Sequence, residues 1–564
     1  MTSPTASPAP SPSGSPTASA DTGAVGPLTD TRGRYAAAGL AAGAIGVGVA
    51  SVLALVFSVS GLGEPLANPV FAVGAAVVDA TPAWLKDFAV SAFGTADKVV
   101  LGVGIGVVLA GLFAGVGLVG RTRHTVALVA TVALGGIALA AVVTRPGSGT
   151  LDPVPTVIGV GAALWALVRS WRGSAPSGSG PNAGGVPSGA TTRRLLLEAG
   201  FGGGVAALAS GVSARPSAGS AEASRATVVL PSLPPPTVTG GATVSAAAPS
   251  TIGATVPAVL PGVADADLGV AGLTPWQVPS ALFYRIDTAL VPPRLTAADW
   301  RLRVWGEVER EVTLTWEQLL AKPLVQRWVT LACVSNEVGG DLVGNALWAG
   351  WPLRELLAQA GPRPGADMVL SRSADGWTAG TPLAALTDGR DALLAVAMNG
   401  QPLPVEHGFP VRLVVPGLYG YVSATKWVVD LKVTSFAADR GYWTPRGWSA
   451  LGPVKLASRI EVPRSGARVT PGRVAVAGTA WAMHRGIQAV QVRVDDGPWQ
   501  DARLAAEPSV DSWRQWVFEW DATPGAHTLT VRARSHDGEW QTDQVRPSAP
   551  DGATGHHSVA VQVG

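Results

Sequence analysis

Cys333 is the only cysteine among 564 residues, and it stands in Thr330-Leu331-Ala332-Cys333-Val334-Ser335-Asn336, directly after an apolar run of strand character. A lone thiol in such a setting is most often an inert small hydrophobe. Its company argues for chemistry. His407-Gly408-Phe409-Pro410-Val411-Arg412, then Pro416-Gly417, then Lys426-Trp427 place an imidazole, a guanidinium and an ammonium on turns around one short strand. Each alone suits a solvated surface. Together they suit an anionic ligand, the guanidinium acting as a fork and the ammonium as a point charge. A single cysteine excludes an intrachain disulfide framework, a Cys-rich zinc site and an iron–sulfur cluster held by this chain alone.

These residues need a folded scaffold, and the composition changes where one begins. From Trp276 onward lie 17 of the 20 Trp and most of the charge. Residues 276–437 mix strand-like runs (Trp300 to Trp305, Val411 to Val415) with helical ones (Trp316 to Leu320, Leu353 to Ala360), which predicts an α+β domain. Residues 438–564 hold short alternating strands, Gln488 to Val494, Gln515 to Trp520 and His527 to Arg534, punctuated by Asp496-Gly497 and Pro524-Gly525. That pattern predicts a small β-sandwich.

The N-terminal half differs. Residues 1–34 are Ser, Pro, Ala and Thr with few large apolar side chains, which predicts a disordered cytoplasmic tail. Tyr35 to Thr192 contains twelve charged residues, and they fall between apolar runs at about 36–60, 99–119, 125–144 and 155–171. Most approach the roughly 20 residues needed to cross a bilayer. A fifth, poorer run follows Arg194 and ends near Val212. Residues 35–213 therefore read as a membrane domain of about five spans, with Gly111, Gly115 and Gly117 suited to close helix packing. The stretch 64–96, with Pro65, Pro69, Pro82, Trp84, Lys86 and Asp87, reads as interfacial or re-entrant. Arg32, Arg34, Arg121, Arg123, Arg169, Arg172, Arg193 and Arg194 cluster on alternate connections, which places the N-terminus in the cytoplasm and everything after Val212 outside it. Residues 214–275, Ser/Ala/Pro/Gly-rich with Pro234-Pro235-Pro236, read as a linker. A mean hydropathy of +0.29 and 14% charged residues agree with a part in lipid. Lys+Arg 41 against Asp+Glu 39 is too balanced for nucleic-acid binding.

Residues 283 to about 564 resemble the sulfite-oxidase-type molybdenum oxidoreductases. The similarity rests on Phe283-Tyr284-Arg285, on Thr330 to Asn336, on Leu347-Trp348-Ala349-Gly350 with Leu353, and above all on Met398 to Arg412 followed by Lys426-Trp427. The terminal part, with Ala477-Gly478-Thr479-Ala480-Trp481 and Val492 to Gly497, is similar to the family's immunoglobulin-like dimerisation domain, so a homodimer is implied. The resemblance implies a molybdenum held by the two dithiolene sulfurs of a molybdopterin and by the thiolate of Cys333, a metal whose +6 and +4 states allow an oxygen atom to be exchanged with a small substrate. Cys333 is then a permanent ligand and not a nucleophile. Tyr284, His407, Arg412 and Lys426 are implied to contact the cofactor, and Arg285 to face the metal and position an oxyanion. Two departures stand out. Asp287 occupies the place where animal sulfite oxidases carry a histidine, and Tyr442-Trp443-Thr444-Pro445-Arg446-Gly447-Trp448 replaces the family's substrate-side tyrosine region. With Arg446 and Trp448 there, selection for a small dianion such as sulfite is loosened.

Thr192-Arg193-Arg194-Leu195-Leu196-Leu197 looks like a twin-arginine export signal, although Glu198 within it is atypical; ordinary charge anchoring is the alternative. A molybdopterin enzyme acquires its cofactor in the cytoplasm, so export of a folded domain has a physical motive. Of seven histidines only His124 lies in the membrane half, the others being His407, His484, His527, His536, His556 and His557. A haem held by two axial histidines within the spans of one subunit is therefore not expected. Electrons from the metal would need a separate partner, a cytochrome or a quinone-linked protein. The competing reading is a membrane-tethered cell-envelope or adhesion module whose cofactor domain has degenerated.

Overall fold

The computed structural model describes residues 31–60, 62–63, 67–82, 85, 97–145, 148–172, 188–236 and 263–564. The expected N-terminal tail lies outside them up to residue 30, as do Trp84, Lys86 and Asp87 of the expected interfacial stretch. Among the described residues, the first part contains the helices α1 (Thr31–Val59), α2 (Pro69–Ala80), α3 (Asp97–Gly120), α4 (His124–Val143), α5 (Pro153–Arg172) and α6 (Ser188–Thr227). Four of these, over Arg32–Val59, Val100–Gly120, His124–Val143 and Pro153–Arg172, are long and apolar enough to cross a membrane. The fifth expected span lies on α6, which is less apolar and is not one of those four. It is also longer than expected: at 1.5 Å per residue its 40 residues reach about 60 Å.

Close backbone crossings hold the bundle. A Cβ on Gly39 would sit 2.0 Å from the carbonyl oxygen of Phe113, and one on Gly117 would sit 2.0 Å from that of Tyr35, so α1 and α3 touch backbone to backbone. Gly111 and Gly115, expected to do the same, have open space where a side chain would stand. The helix α6 runs parallel to α1, with Gly202 against Gly48 and Ser210 Oγ within 3.5 Å of Ser51 Oγ.

At one end the bundle meets the rest of the chain. Arg294 donates to Ser58 Oγ at the end of α1, Tyr442 Oη donates to Asp79 on α2 at 3.0 Å, and Arg446 donates to the Asp79 carbonyl at 2.9 Å. Arg145, just past α4, pairs with the same Asp79 at 2.8 Å. The last turns of α6 reach the same end, where Arg225 Nε donates to the carbonyls of Pro402 and Leu403 at 3.1 and 3.0 Å. Residues 214–227, expected as linker, are thus a helical strut. Beyond it Gln326 donates to the Pro234 carbonyl at 2.7 Å, so the described ends of the 214–275 segment lie on folded surface. At the opposite end His124 stacks edge-on against Trp171 with centroids 4.5 Å apart.

The second part contains two sheets. In the first, β1 (Arg301–Gly306), β2 (Val312–Thr315), β5 (Met368–Ser373), β6 (Thr378–Pro382) and β10 (Val428–Thr434) lie in the order β2-β1-β10-β5-β6, with β1 and β10 parallel. In the second, β3 (Val325–Ala332), β4 (Val343–Pro352), β7 (Leu393–Met398) and β8 (Gln401–Pro402) follow one another, and β9 (Arg412–Val414) pairs with β7. Every residue of β4 is buried, as a strand covered on both faces must be. Two short helices match expectation: α7 (Trp316–Leu320), started by a Thr315/Gln318 capping box, and α8 (Leu353–Ala360). The latter buries Leu353, Leu356, Leu357 and Ala360 at helical spacing and ends at Gly361 with φ 67°.

The third part is two β-sheets around one apolar core that includes Val476, Val490, Trp516 and Val531. It holds β11 (Ala457–Val462), β13 (Gly472–Trp481), β16 (Arg503–Leu504) and β17 (Arg514–Ala522) on one side, with β12 (Arg468–Val469), β14 (Ile487–Val494), β15 (Gln500–Asp501), β18 (Gly525–Ser535) and β19 (His557–Val563) on the other. It is fastened to the second part by reciprocal indole bonds: Trp276 Nε1 donates to the Trp513 carbonyl at 3.1 Å and Trp513 Nε1 to the Trp276 carbonyl at 2.8 Å. Thr330 of β3 adds two more, its N–H donating to Asp511 and its hydroxyl accepting from the Trp513 N–H. The strand that carries Cys333 at its end is therefore clamped at Thr330, three residues before the thiol.

Candidate active site

Cys333 follows β3 directly, and its backbone is fixed on both sides: its N–H donates to Leu342 O at 2.9 Å, and its carbonyl accepts from Asn336 N at 3.1 Å. The thiol lies on the wall of a cavity of about 640 Å³, within the size range of small-molecule sites. The sequence-predicted residues Tyr284, Arg285, His407, Arg412 and Lys426 all line the same cavity. They come from an extended segment before β1, a 3-10 turn (Val405–His407), the start of β9, and the turn before β10.

His407 Nε2 lies 3.0 Å from the Ser280 carbonyl. A carbonyl only accepts, so that nitrogen carries the proton. Burial, with Arg412 and Lys426 nearby, lowers the ring's pKa to about 3, which keeps it neutral and leaves Nδ1 as an acceptor. Arg412 is buried over the Trp348 ring at 4.9 Å and donates to the carbonyls of His407, Leu413 and Ala424. Burial pulls its pKa down to about 10. Lys426 reaches the Glu406 carbonyl at 3.0 Å and forms an ion pair with Asp287. Burial lowers its pKa to about 8 even though the Asp287 carboxylate acts in the opposite direction. Burial, together with Cys333, raises the Tyr284 phenol well above its ordinary value, so it is a proton donor throughout the working range.

Asp287 emerges as the hinge of the site. Its carboxylate, 5% exposed, takes both the ion pair from Lys426 and a 2.9 Å bond from Arg285 Nε. The sequence marked it as a departure without showing that one carboxylate would bridge two cations. Arg446, expected beside the substrate, is placed differently. It lies over the Tyr442 ring at 3.8 Å and donates to the Tyr442 and Asp79 carbonyls, at the junction with α2. Trp448 does line the cavity, together with Trp443. Asp375 and Trp377, from the turn between β5 and β6, complete the wall and carried no sequence signal. Burial raises the Asp375 carboxyl above its usual range.

Desolvated cations, a neutral imidazole and one thiol fit a large anionic cofactor that carries most of its own metal ligands. Among the described residues no group of three or more His, Cys, Asp or Glu side chains could hold a metal ion without such help.

Residues 289–443 match the family model described as oxidoreductase molybdopterin binding domain. Mitochondrial sulfite oxidase of Mus musculus is 31% identical over 320 residues, covering 48% of this chain and 58% of that protein. An uncharacterized oxidoreductase of Bacillus subtilis (strain 168), YuiH, is 32% identical over 178 residues, covering 32% of this chain and 86% of that one. The chain therefore spans little more than half the length of the mouse relative. Among solved structures, the sulfane dehydrogenase SoxCD from Paracoccus pantotrophus aligns with a TM-score of 0.45 at 24% identity, over 51% of this chain and 81% of that one.

Proposed function

The chain belongs to the sulfite-oxidase family of molybdopterin-dependent oxidoreductases, and on that premise we propose that it is a membrane-anchored enzyme moving an oxygen atom to or from a small substrate. The observation that carries this is the convergence of Cys333, His407, Arg412 and Lys426 on one cavity. When bound, a molybdenum–molybdopterin group supplies two-electron oxygen-atom exchange. Cys333 holds the metal as thiolate. Lys426 and Arg412 set a positive field for the anionic cofactor, stronger for being desolvated, and His407 offers it a neutral acceptor nitrogen. Arg285, with Nε fixed on Asp287, positions the substrate oxygen, while Trp443 and Trp448 restrict water on that side.

The membrane part anchors the cofactor domain outside the cytoplasm in this reading. Two features support it. The five long helices α1, α3, α4, α5 and α6 alternate in direction, so that α6, parallel to α1, delivers the chain to the end of the bundle where the second part sits. The eight arginines of the bundle's other connections, Arg32 to Arg194, belong to the opposite end, as a cytoplasmic side requires. Electrons then pass to or from a separate carrier protein, and the C-terminal sheets serve as a homodimer contact. The test is to measure molybdenum per chain in purified protein and to assay sulfite, sulfoxides and nitrate with an artificial redox dye. One metal per chain with turnover of at least one oxygen-transfer substrate is expected; metal-free protein without turnover after cofactor loading would refute the reading.

A further inference from the structure

The cavity is not closed by the cofactor domain alone. One wall is formed by the bundle: Val77, Val78 and Thr81 at the end of α2, Leu85 after it, and Val100 and Leu101 at the start of α3. Val77 and Val100 are 39% and 40% exposed, so their apolar surface faces open space and is not packed into a core. The wall is held in place by polar contacts that lie beside it, Tyr442 and Arg145 on the Asp79 carboxylate and Arg446 on the Asp79 carbonyl. The facing surface adds Ile286, Leu290 and the indoles of Trp443 and Trp448.

The charge on the polar side points the same way. Lys426 and Arg285 share the single carboxylate of Asp287, Arg412 is directed to three carbonyls, and Arg446 is turned to the α2 junction. Little uncompensated positive charge remains for a small dianion once a cofactor has used Lys426 and Arg412. A neutral polar group at the metal with an apolar substituent against the bundle satisfies both halves of the cavity.

We infer that this site, on the oxygen-transfer reading above, takes a neutral amphiphilic substrate whose apolar chain lies along the ends of α2 and α3, so that it enters from the bilayer side. The bundle is then part of the substrate site as well as an anchor.

The test uses the full-length, cofactor-loaded protein in lipid nanodiscs and a series of methyl n-alkyl sulfoxides, from dimethyl to methyl octyl. Each turnover converts sulfoxide to sulfide and water, taking two electrons from a reduced dye and two protons from solvent. The inference predicts that kcat/KM rises about fourfold per methylene over the first few carbons, the gain for burying each CH2. Val77→Gln with Leu101→Gln should flatten that rise. A second readout needs no turnover: a methyl alkyl sulfoxide with a diazirine at the chain end should label the peptides around Val77 and Leu101 in excess over those of α4, and methyl octyl sulfoxide should compete where dimethyl sulfoxide does not. Labelling no greater than that of α4, or label displaced by no sulfoxide, would overturn the inference even in inactive protein. Turnover with kcat/KM independent of chain length would overturn it while leaving the oxygen-transfer reading intact.

Discussion

Asp287 carries more of the site than its single carboxylate suggests. Because it is nearly buried and pairs with Lys426, which is 10% exposed, its removal strands a desolvated ammonium. Breaking a buried pair from one side costs about 3–5 kcal/mol. Asp287→Asn should therefore lower unfolding stability by about that amount in urea melts; a loss under about 1 kcal/mol would show that Lys426 finds another partner. His407 gives the site a pH dependence of known sign. Its ordinary pKa of 6.5 falls to about 3 in the fold, so between those values the unfolded chain binds a proton that the native ring refuses. Stability is then unaffected above about pH 6.5 and declines as pH falls, by about 2 kcal/mol at about pH 5. His407→Gln should flatten this decline in urea melts of cofactor-free protein, and an unchanged slope would assign it to other groups. At this scale the sequence was informative where residues sit in specific runs, as with Cys333, His407, Arg412 and Lys426. It was silent on Asp375 and Trp377, which reach the cavity only because β5 pairs with β10, a contact between segments more than fifty residues apart.

At the scale of elements, the site depends on how tightly the turn at 405–412 folds against the turn before β10. Gly408 has φ 113°, and a Cβ there would lie 3.0 Å from Arg412 Cβ and 3.1 Å from Lys426 Cβ. Backbone conformation and space both exclude a side chain. Gly408→Ala should cost about 1–3 kcal/mol and separate the two cations, measurable as a lowered melting temperature together with reduced molybdenum content. Retention of both would contradict the packing described. The regular elements of the second part were legible because their signals are local: Leu353, Leu356, Leu357 and Ala360 fix α8, and the Thr315/Gln318 capping box fixes the start of α7. The strut at the end of α6 was not. Its Ser/Ala-rich sequence and Pro216 have the composition of a linker, and it is Ser224 and Arg225 meeting the second part that hold its last turns. Gly111 and Gly115 failed for the related reason that composition marks small residues without saying which face meets a neighbour.

For the molecule as a whole, orientation depends on whether α6 crosses. Five crossings put the cofactor domain opposite the N-terminus, and four put both on one side. Reporter fusions after Arg123 and after Gly564 separate these: a cytoplasmic signal is expected for the first and an external one for the second, and a cytoplasmic signal at Gly564 would remove the outward orientation. Arg193→Lys with Arg194→Lys preserves charge, so simple anchoring survives it while twin-arginine recognition does not; normal export of the double variant would favour anchoring. Whether one molybdenum is held per chain through Cys333 is decided by metal analysis of purified wild-type and Cys333→Ser protein beside their melting curves. A hydroxyl is a harder, less covalent ligand than a thiolate, and one exchange at a half-buried position changes the fold little. About one molybdenum per wild-type chain is expected, with metal or oxygen-transfer activity lost in the variant and the melting temperature held within a few degrees. Equal metal content and full turnover in Cys333→Ser would contradict the ligand role of Cys333.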